Sequence, residues 1–145
     1  MATLPHSTFP AAVARLAQPL DLRALNLATL HGVMAVRLCA LFDRAQREPL
    51  AELAQRFRSF EAASAVLDLV REVSRTWPEP FVTGRPCCLA MTPDEATLAA
   101  MLRTAACGDR DGFGEVLAGF VRRSRHERLY NAALKAVATL KAASA

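Results

Sequence analysis

The sequence predicts an all-α protein: a single compact bundle of six or seven helices around a central apolar helix. The 145 residues contain no isoleucine, one tyrosine and one tryptophan, and alanine and leucine dominate. Alanine and leucine are favourable in helices, whereas strands favour β-branched and aromatic residues. Apolar residues also recur at helical spacing along most of the chain. We therefore expect residues 1–145 to form one helical domain.

The first half of the chain contains the most apolar helical segment. A short helix is predicted to begin after Ser7 or Thr8 and to end before Pro19. A long helical segment follows from Asp21 to about Arg47 and is apolar nearly all round. We predict that its stretch 24–42 is the buried axis of the bundle.

The same stretch is long enough to be considered as a membrane span, since about 20 apolar residues cross a bilayer. Asn26, His31 and Arg37 lie within it, however. An arginine near the centre of a bilayer costs at least about 2.5 kcal/mol. A buried bundle helix is therefore the favoured interpretation, and we expect no membrane partner.

Two helices and a loop are predicted in the middle of the chain. Pro49 opens a short helix, and Ser59 caps a second helix from Phe60 to about Trp77. The second helix has one apolar face, on which Phe60 is expected to be buried, and one charged face. The prolines that follow end it, and the stretch 78–91 is the one substantial loop.

Three helices are predicted after this loop, and no strand is needed. Thr92 and Glu95 form a capping box around Pro93, and Gly108 ends that helix in the left-handed conformation. Asp109 or Asp111 begins the next helix, with an apolar stripe over 113–121. A second capping box, Ser124 with Glu127, is predicted to begin the last helix.

The adjacent cysteines Cys87 and Cys88 are the most unusual local feature. They follow Gly84-Arg85-Pro86 in the loop, a few residues before a helix begins. A nearby arginine and a helix N-terminus favour a thiolate, so a reactive or redox-sensing thiol site is one hypothesis. The alternative is that both cysteines are small apolar residues packed under the helices.

A metal site, a cofactor site and a catalytic site all lack sequence support. The zinc spacing C-x₂₋₄-C is absent, and Cys107 lies far along the helix that begins at Pro93. The remaining candidate ligands would meet only by tertiary contact: Cys39, His6, His31 and His126. His31 lies on an apolar helix face, where a partly buried structural histidine is the expectation. No nucleophile, metalloprotease or phosphate-loop motif occurs. We predict no metal, no cofactor and no catalytic residue.

Positive charge is concentrated near the C-terminus. Residues 122–141 contain six basic side chains against one acidic, and the formal charge of the whole chain is +4. The basic cluster comprises Arg122, Arg123, Arg125 and Arg128. Such a cluster can bind phosphate backbones or an acidic partner. The favoured alternative is a solvated helix junction, because the last helix lacks the polar side chains of a DNA-reading helix.

The loop carries one family resemblance. Pro86-Cys87-Cys88, followed by Met91-Thr92 and Glu95, resembles a small family of bacterial helical proteins with no assigned activity. In these proteins a Pro-Cys-Cys loop precedes a Met-Thr-x-x-Glu helix start. The resemblance implies a helical fold and a bacterial cytoplasmic setting. The chain departs from the pattern at Leu89, where members often carry a third cysteine, which weakens a metal or thiol role.

The functional expectation is a non-enzymatic helical module for protein interaction or regulation, whose partner is another protein or a second copy of the chain. Apolar helix faces are abundant and chemical motifs are few. One alternative is a thiol-based redox or metal-responsive protein that uses Cys87 and Cys88. Another is weak nucleic-acid binding through the basic cluster. The N-terminus does not resemble a secretory signal, so a cytoplasmic protein is expected.

Overall fold

The computed structural model describes residues 20–145 as a helical bundle, which confirms the predicted all-α class. The predicted helix between Ser7 and Pro19 lies outside the described residues. Within them, six α-helices follow in order: α1 (Leu27–Arg44), α2 (Leu50–Phe57), α3 (Phe60–Thr76), α4 (Pro93–Ala106), α5 (Arg110–Leu117) and α6 (Arg123–Ser144).

A short antiparallel ladder accompanies the helices, so the prediction that no strand is needed was wrong here. Strand β1 (Leu20–Asp21) pairs with β2 (Ala90–Met91), with Leu20 opposite Met91. A 3₁₀ turn at Leu22–Ala24 precedes α1. The long helical segment predicted to begin at Asp21 therefore becomes an α-helix only at Leu27. The ladder holds the entry to α1 against the end of the loop that precedes α4.

Three of the six helices begin at a predicted side-chain cap. The Ser59 side chain accepts a hydrogen bond from the Ala62 N–H at 3.0 Å, and Asp109 accepts one from Gly112 at 2.9 Å. Thr92 and Glu95 form the complete capping box. Gly108 adopts a positive φ of 68° directly after α4, as a C-terminal stop requires. These local signals act within four residues and therefore survive in the tertiary structure.

Three local predictions were wrong. The second capping box does not form, because α6 begins at Arg123 and Ser124 lies inside its first turn. Helix α5 ends at Leu117, before Gly119 turns the chain at a φ of 92°, so the apolar stripe does not continue to Val121 as helix. Phe60 is 66% exposed, because it occupies the first position of α3, beyond the surface that α3 packs against its neighbours.

The central helix of the bundle is α6 rather than the predicted stretch 24–42. Helix α6 contacts all five other helices. Its most extensive packing is against α3, where small residues allow close approach: Ala62 and Ala63 on α3, and Ala133 and Ala136 on α6, are fully buried. Helix α1 packs mainly against α4 and α6, and its remaining face carries the exposed Leu27 and Leu41.

The membrane-span interpretation of stretch 24–42 finds no support. Among residues 20–145, no helix combines the length and the apolar character that crossing a bilayer requires.

Enlarging a small residue on α6 tests whether this helix is the packing centre. We expect Ala133→Leu to lower the free energy of unfolding by about 1–3 kcal/mol, because the fully buried site has no room for extra methylene groups. The matched control is Ala138→Leu, on the exposed side of the same helix, which should change stability by less than about 0.5 kcal/mol. Urea unfolding measures both, and equal effects would contradict the central position of α6.

Candidate functional site

A buried arginine organises the loop that carries the adjacent cysteines. Arg37, in the middle of α1, is 1% exposed, and Glu95, in the first turn of α4, is fully buried. Arg37 Nε lies 2.7 Å from Glu95 Oε2, and Arg37 Nη2 lies 2.9 Å from Glu95 Oε1. This two-point geometry matches the planar guanidinium to the planar carboxylate.

The remaining guanidinium hydrogens bind the backbone of the loop. Arg37 Nη1 donates to the carbonyl oxygens of Arg85 at 2.9 Å and Cys88 at 2.6 Å. Arg37 Nη2 donates to the carbonyl oxygen of Ala90, in β2, at 3.0 Å. A guanidinium has five N–H groups, and all five are used here. Arg37 therefore has no donor left for a ligand.

The Glu95 carboxylate likewise has its hydrogen-bond partners within the protein and accepts two hydrogen bonds at each oxygen. Besides the two bonds from Arg37, it accepts the backbone N–H groups of Gly84 and Thr92, each at 3.0 Å. Burial disfavours its charged form, but the hydrogen bonds from Arg37, Gly84 and Thr92 outweigh that effect and hold the pKa of Glu95 below its ordinary value. The same contact with Glu95 raises the pKa of Arg37. The pair is charged at neutral pH and acts as a structural clasp.

Gly84 is required by the clasp for steric reasons. A Cβ atom at this position would lie 2.8 Å from Arg37 Nη2 and 3.3 Å from Glu95 Oε1. The backbone of Gly84 can therefore reach the carboxylate only without a side chain. We name Arg37, Glu95 and Gly84, with the loop carbonyl groups that Arg37 binds, the arginine clasp.

Sequence reasoning did not identify the arginine clasp. In the sequence, Arg37 argues against a membrane span, and Glu95 belongs to a capping box and to the Met-Thr-x-x-Glu resemblance, but neither pattern pairs the two residues. An arginine inside a strongly apolar helix was the available signal, since a buried charge needs a partner. The sequence could not show which of the 14 acidic residues that partner is, because Glu95 lies 58 positions away.

The arginine clasp presents the adjacent cysteines at the surface. The Cys88 N–H donates to the Arg85 carbonyl oxygen at 3.0 Å, which closes a tight turn with Pro86 and Cys87 at its centre. Both Cys87 and Cys88 are exposed. The alternative in which both pack beneath the helices as small apolar residues is therefore wrong.

The other cysteines and histidines lie apart from this turn. Cys39 is buried in α1, and burial raises the pKa of its thiol to about 11, so it is unreactive at neutral pH. Cys107 is exposed at the end of α4. His126 Nε2 lies 3.0 Å from the Val121 carbonyl oxygen, a local contact. Within residues 20–145, no three His, Cys, Asp or Glu side chains are arranged to hold a metal ion.

Among residues 20–145, one face of α1 forms a wall of an apolar groove of about 660 Å³. Seven residues of α1 line it, and five of them follow alternating spacings of four and three: Leu27, His31, Met34, Leu38 and Leu41. Leu27 is 54% exposed and Leu41 is 36% exposed. This set of five residues is named the α1 stripe. The prediction that His31 is partly buried is confirmed, and its ring lies 6.1 Å from that of Phe57.

The opposite side of the groove comes from three other segments. Helix α2 contributes Leu53 and Phe57, and the end of α6 contributes Leu140 and Ala143. Pro86, which precedes the adjacent cysteines in the loop, also lines the groove. Leu53 and Leu140 are buried and form its floor.

The charges along the groove are all positive. Arg56 and Arg58 lie at its edge, and Arg37 lies beneath it with its charge balanced by Glu95. No aspartate or glutamate lines the groove among the described residues. Arg56 makes only a long contact of 3.4 Å with Glu52 at the surface. An anionic group placed over this edge would therefore meet net positive charge.

The basic cluster is dispersed around the start of α6. All four arginines are exposed, and none forms an ion pair with an acidic side chain of residues 20–145. At 100° per residue, Arg125 and Arg128 share one face, and Arg123 points to the other side. The structure thus brings two of these residues together, and nucleic-acid binding stays a prediction.

Comparison of the chain with protein-family models, with curated protein sequences and with solved structures finds no match.

Removing Arg37 tests the structural role of the clasp. We expect Arg37→Met to lower the free energy of unfolding by about 3–5 kcal/mol, because it leaves a buried carboxylate uncompensated and removes the hydrogen bonds to three loop carbonyl groups. Glu95→Gln keeps the shape of the side chain, so it should lower the free energy of unfolding by less than Arg37→Met does. The matched control is Arg71→Met, which breaks the surface pair with Asp68 and should cost less than about 1 kcal/mol. Similar losses for Arg37→Met and Arg71→Met in urea unfolding would contradict the clasp.

The lowered pKa of Glu95 predicts an acid-sensitive stability. The unfolded chain has an ordinary glutamate pKa of about 4.3, so below that value protons bind the unfolded state more readily than the folded one. The stabilisation by the Glu95 carboxylate is thus present above this pH and is lost as the pH falls. Thermal unfolding between about pH 6 and pH 3 should show a steeper fall in Tm for the native chain than for Glu95→Gln. An equal fall in Tm for the native chain and for Glu95→Gln would contradict a contribution of the Glu95 carboxylate to stability.

Proposed function

We propose that this protein is a protein-interaction module that binds an acidic amphipathic helix of a partner protein in the groove beside α1. The observation that carries the proposal is the α1 stripe, an apolar helix face of heptad-like spacing that the rest of residues 20–145 leaves partly exposed. It spans 14 residue steps, or about 21 Å at 1.5 Å per residue. This length suits about four turns of a partner helix.

Helix-in-groove recognition fits the shape and chemistry of this surface. Partner helices of this kind insert apolar residues at spacings of three and four into a hydrophobic groove. Here Leu53 and Leu140 form a floor and Phe57 forms a wall, so inserted side chains would be enclosed on several sides. The half-buried Met34 adds an adaptable contact, because methionine adjusts readily to irregular apolar partners.

The charges at the groove edge favour an acidic partner over a second copy of the chain. Arg56 has only the long, exposed contact with Glu52, and Arg58 forms no ion pair within residues 20–145, so glutamate or aspartate at the flanks of the bound helix would complement them. In a symmetric dimer the same surface faces itself, which would place these arginines of both chains in one interface. Self-association through the groove is therefore disfavoured.

A cytoplasmic setting is part of the proposal. Three of the four cysteines are exposed and free: Cys87, Cys88 and Cys107. Exposed thiols persist in the reducing cytoplasm and are oxidised in most extracellular compartments.

A designed peptide tests the groove directly. The probe is a synthetic amphipathic helix with leucine at heptad positions and glutamate at the flanks, and fluorescence anisotropy measures its binding to the full chain. We expect Leu41→Asp to weaken binding at least about tenfold, because it places an uncompensated carboxylate against apolar side chains. The matched control is Phe60→Asp, which replaces an exposed apolar residue outside the groove and should leave binding unchanged.

Charge reversal tests the acidic character of the partner. Arg56→Glu should weaken the glutamate-flanked peptide and strengthen one flanked by lysine, whereas Arg71→Glu, on the surface of α3, should do neither. Equal binding by Leu41→Asp and Phe60→Asp, or a native preference for the lysine peptide, would overturn the proposal.

Photo-crosslinking in cells identifies the natural occupant. A photoreactive residue at position 41 should crosslink to an acidic amphipathic segment of another protein, and one at position 60 should not. Crosslinks from position 41 to a second copy of the chain, or to residues 1–19, would assign the groove to that occupant and reject the external partner.

A further inference from the structure

We propose that Cys87 and Cys88 form a chelating site for a trivalent thiophilic metalloid, such as the arsenic of arsenite or of an organic arsenical. The two thiols are adjacent, free and exposed at one tight turn. The proposal concerns this turn alone and does not depend on the groove.

The backbone of the turn is held before any ligand binds. The Cys88 N–H to Arg85 carbonyl bond of 3.0 Å closes the turn, and Pro86 fixes one of its corners. Arg37 binds the carbonyl oxygens of both terminal residues of the turn, Arg85 and Cys88, from the interior. The ligand would thus need to order only two short side chains, which lowers the entropic cost of binding.

Adjacent cysteines are better suited to sharing a bridging atom than to forming a disulfide. Neighbouring Cα atoms across a trans peptide are about 3.8 Å apart. Cα atoms joined by a disulfide are usually about 4.4–6.8 Å apart. A direct bond between Cys87 and Cys88 would therefore strain the turn. An atom inserted between the two sulfurs lengthens the link and relieves that strain.

The number of available ligands favours a metalloid over zinc. Structural zinc sites use four protein ligands and catalytic sites three. Within residues 20–145, no third His, Cys, Asp or Glu side chain joins the two thiols in a metal-binding arrangement. Trivalent arsenic with one organic substituent needs only two thiolates to complete its three bonds.

The chemistry is a substitution without oxidation or reduction. An organic arsenical in its hydrated form has one As–C bond and two As–OH groups. Two As–S bonds form, to Cys87 and Cys88, and two As–O bonds break. Each thiol proton leaves with a hydroxide as water, so two water molecules are released and arsenic remains trivalent.

Thiol titration of the native protein with phenylarsine oxide tests the site. Without the arsenical, three exposed thiols should react with a chromogenic disulfide reagent, while the buried Cys39 should not. One equivalent of phenylarsine oxide should protect two of them and leave Cys107 reactive. In Cys107→Ser, one equivalent should protect every exposed thiol. A small dithiol should reverse the protection, and a monothiol at the same thiol concentration should not.

Single serine variants show whether both thiols are needed. Cys87→Ser and Cys88→Ser should each weaken arsenical binding by at least about a hundredfold, because the second bond to a chelated atom forms at a high effective concentration. Cys107→Ser is the matched control and should bind as the native chain does. All three positions are exposed, so unchanged helical circular dichroism is expected. Native-like binding by Cys87→Ser or Cys88→Ser, or reversal by the monothiol, would overturn the proposal.

Discussion

The buried ion pair between Arg37 and Glu95 is the interaction on which the organisation of this structure depends. Removing two charges from water is costly, and the cost is recovered only when geometry is good and every remaining donor and acceptor is satisfied. Here the two side chains bond each other twice, and the backbone of the loop and of β2 supplies their other partners. One side-chain pair thus joins α1, α4 and the long loop between α3 and α4.

Two surface features meet at the segment that the arginine clasp holds. Cys87 and Cys88 are displayed on the outside of the turn, whereas Pro86, in the same turn, lines the apolar groove. Arg37 fixes the turn through the carbonyl groups at its two ends. Because its charge is balanced by Glu95, the net positive character of the groove comes from Arg56 and Arg58 instead.

The apolar character of α1 serves two different surfaces. One face carries small and branched residues such as Ala28, Val33 and Ala35, which are buried in the bundle. The other face carries the α1 stripe, which the other helices of residues 20–145 leave partly exposed. Both faces are predominantly apolar in the sequence. An apolar face that packs in the core cannot be distinguished from one that awaits a partner until the positions of the other helices are known.

Local signals in the sequence determined where most helices begin and end, because their physics operates over three or four residues. Ser59, Thr92 and Asp109 cap their helices through bonds to nearby N–H groups, and Gly108 ends α4 through its own backbone freedom. These signals, with the scarcity of strand-forming residues, were sufficient to predict the all-α class.

Only the tertiary structure decided the features that depend on distant neighbours. Arg37 and Glu95 are 58 positions apart, and the β1–β2 ladder joins segments about as widely separated. The central position of α6 depends on the close packing of alanines between α3 and α6, a contact between distant segments. The exposed position of Cys87 and Cys88 likewise depends on the turn that the arginine clasp holds. Hydrophobic spacing indicates that a helix has an apolar face to bury. Only the folded chain shows which surface covers that face.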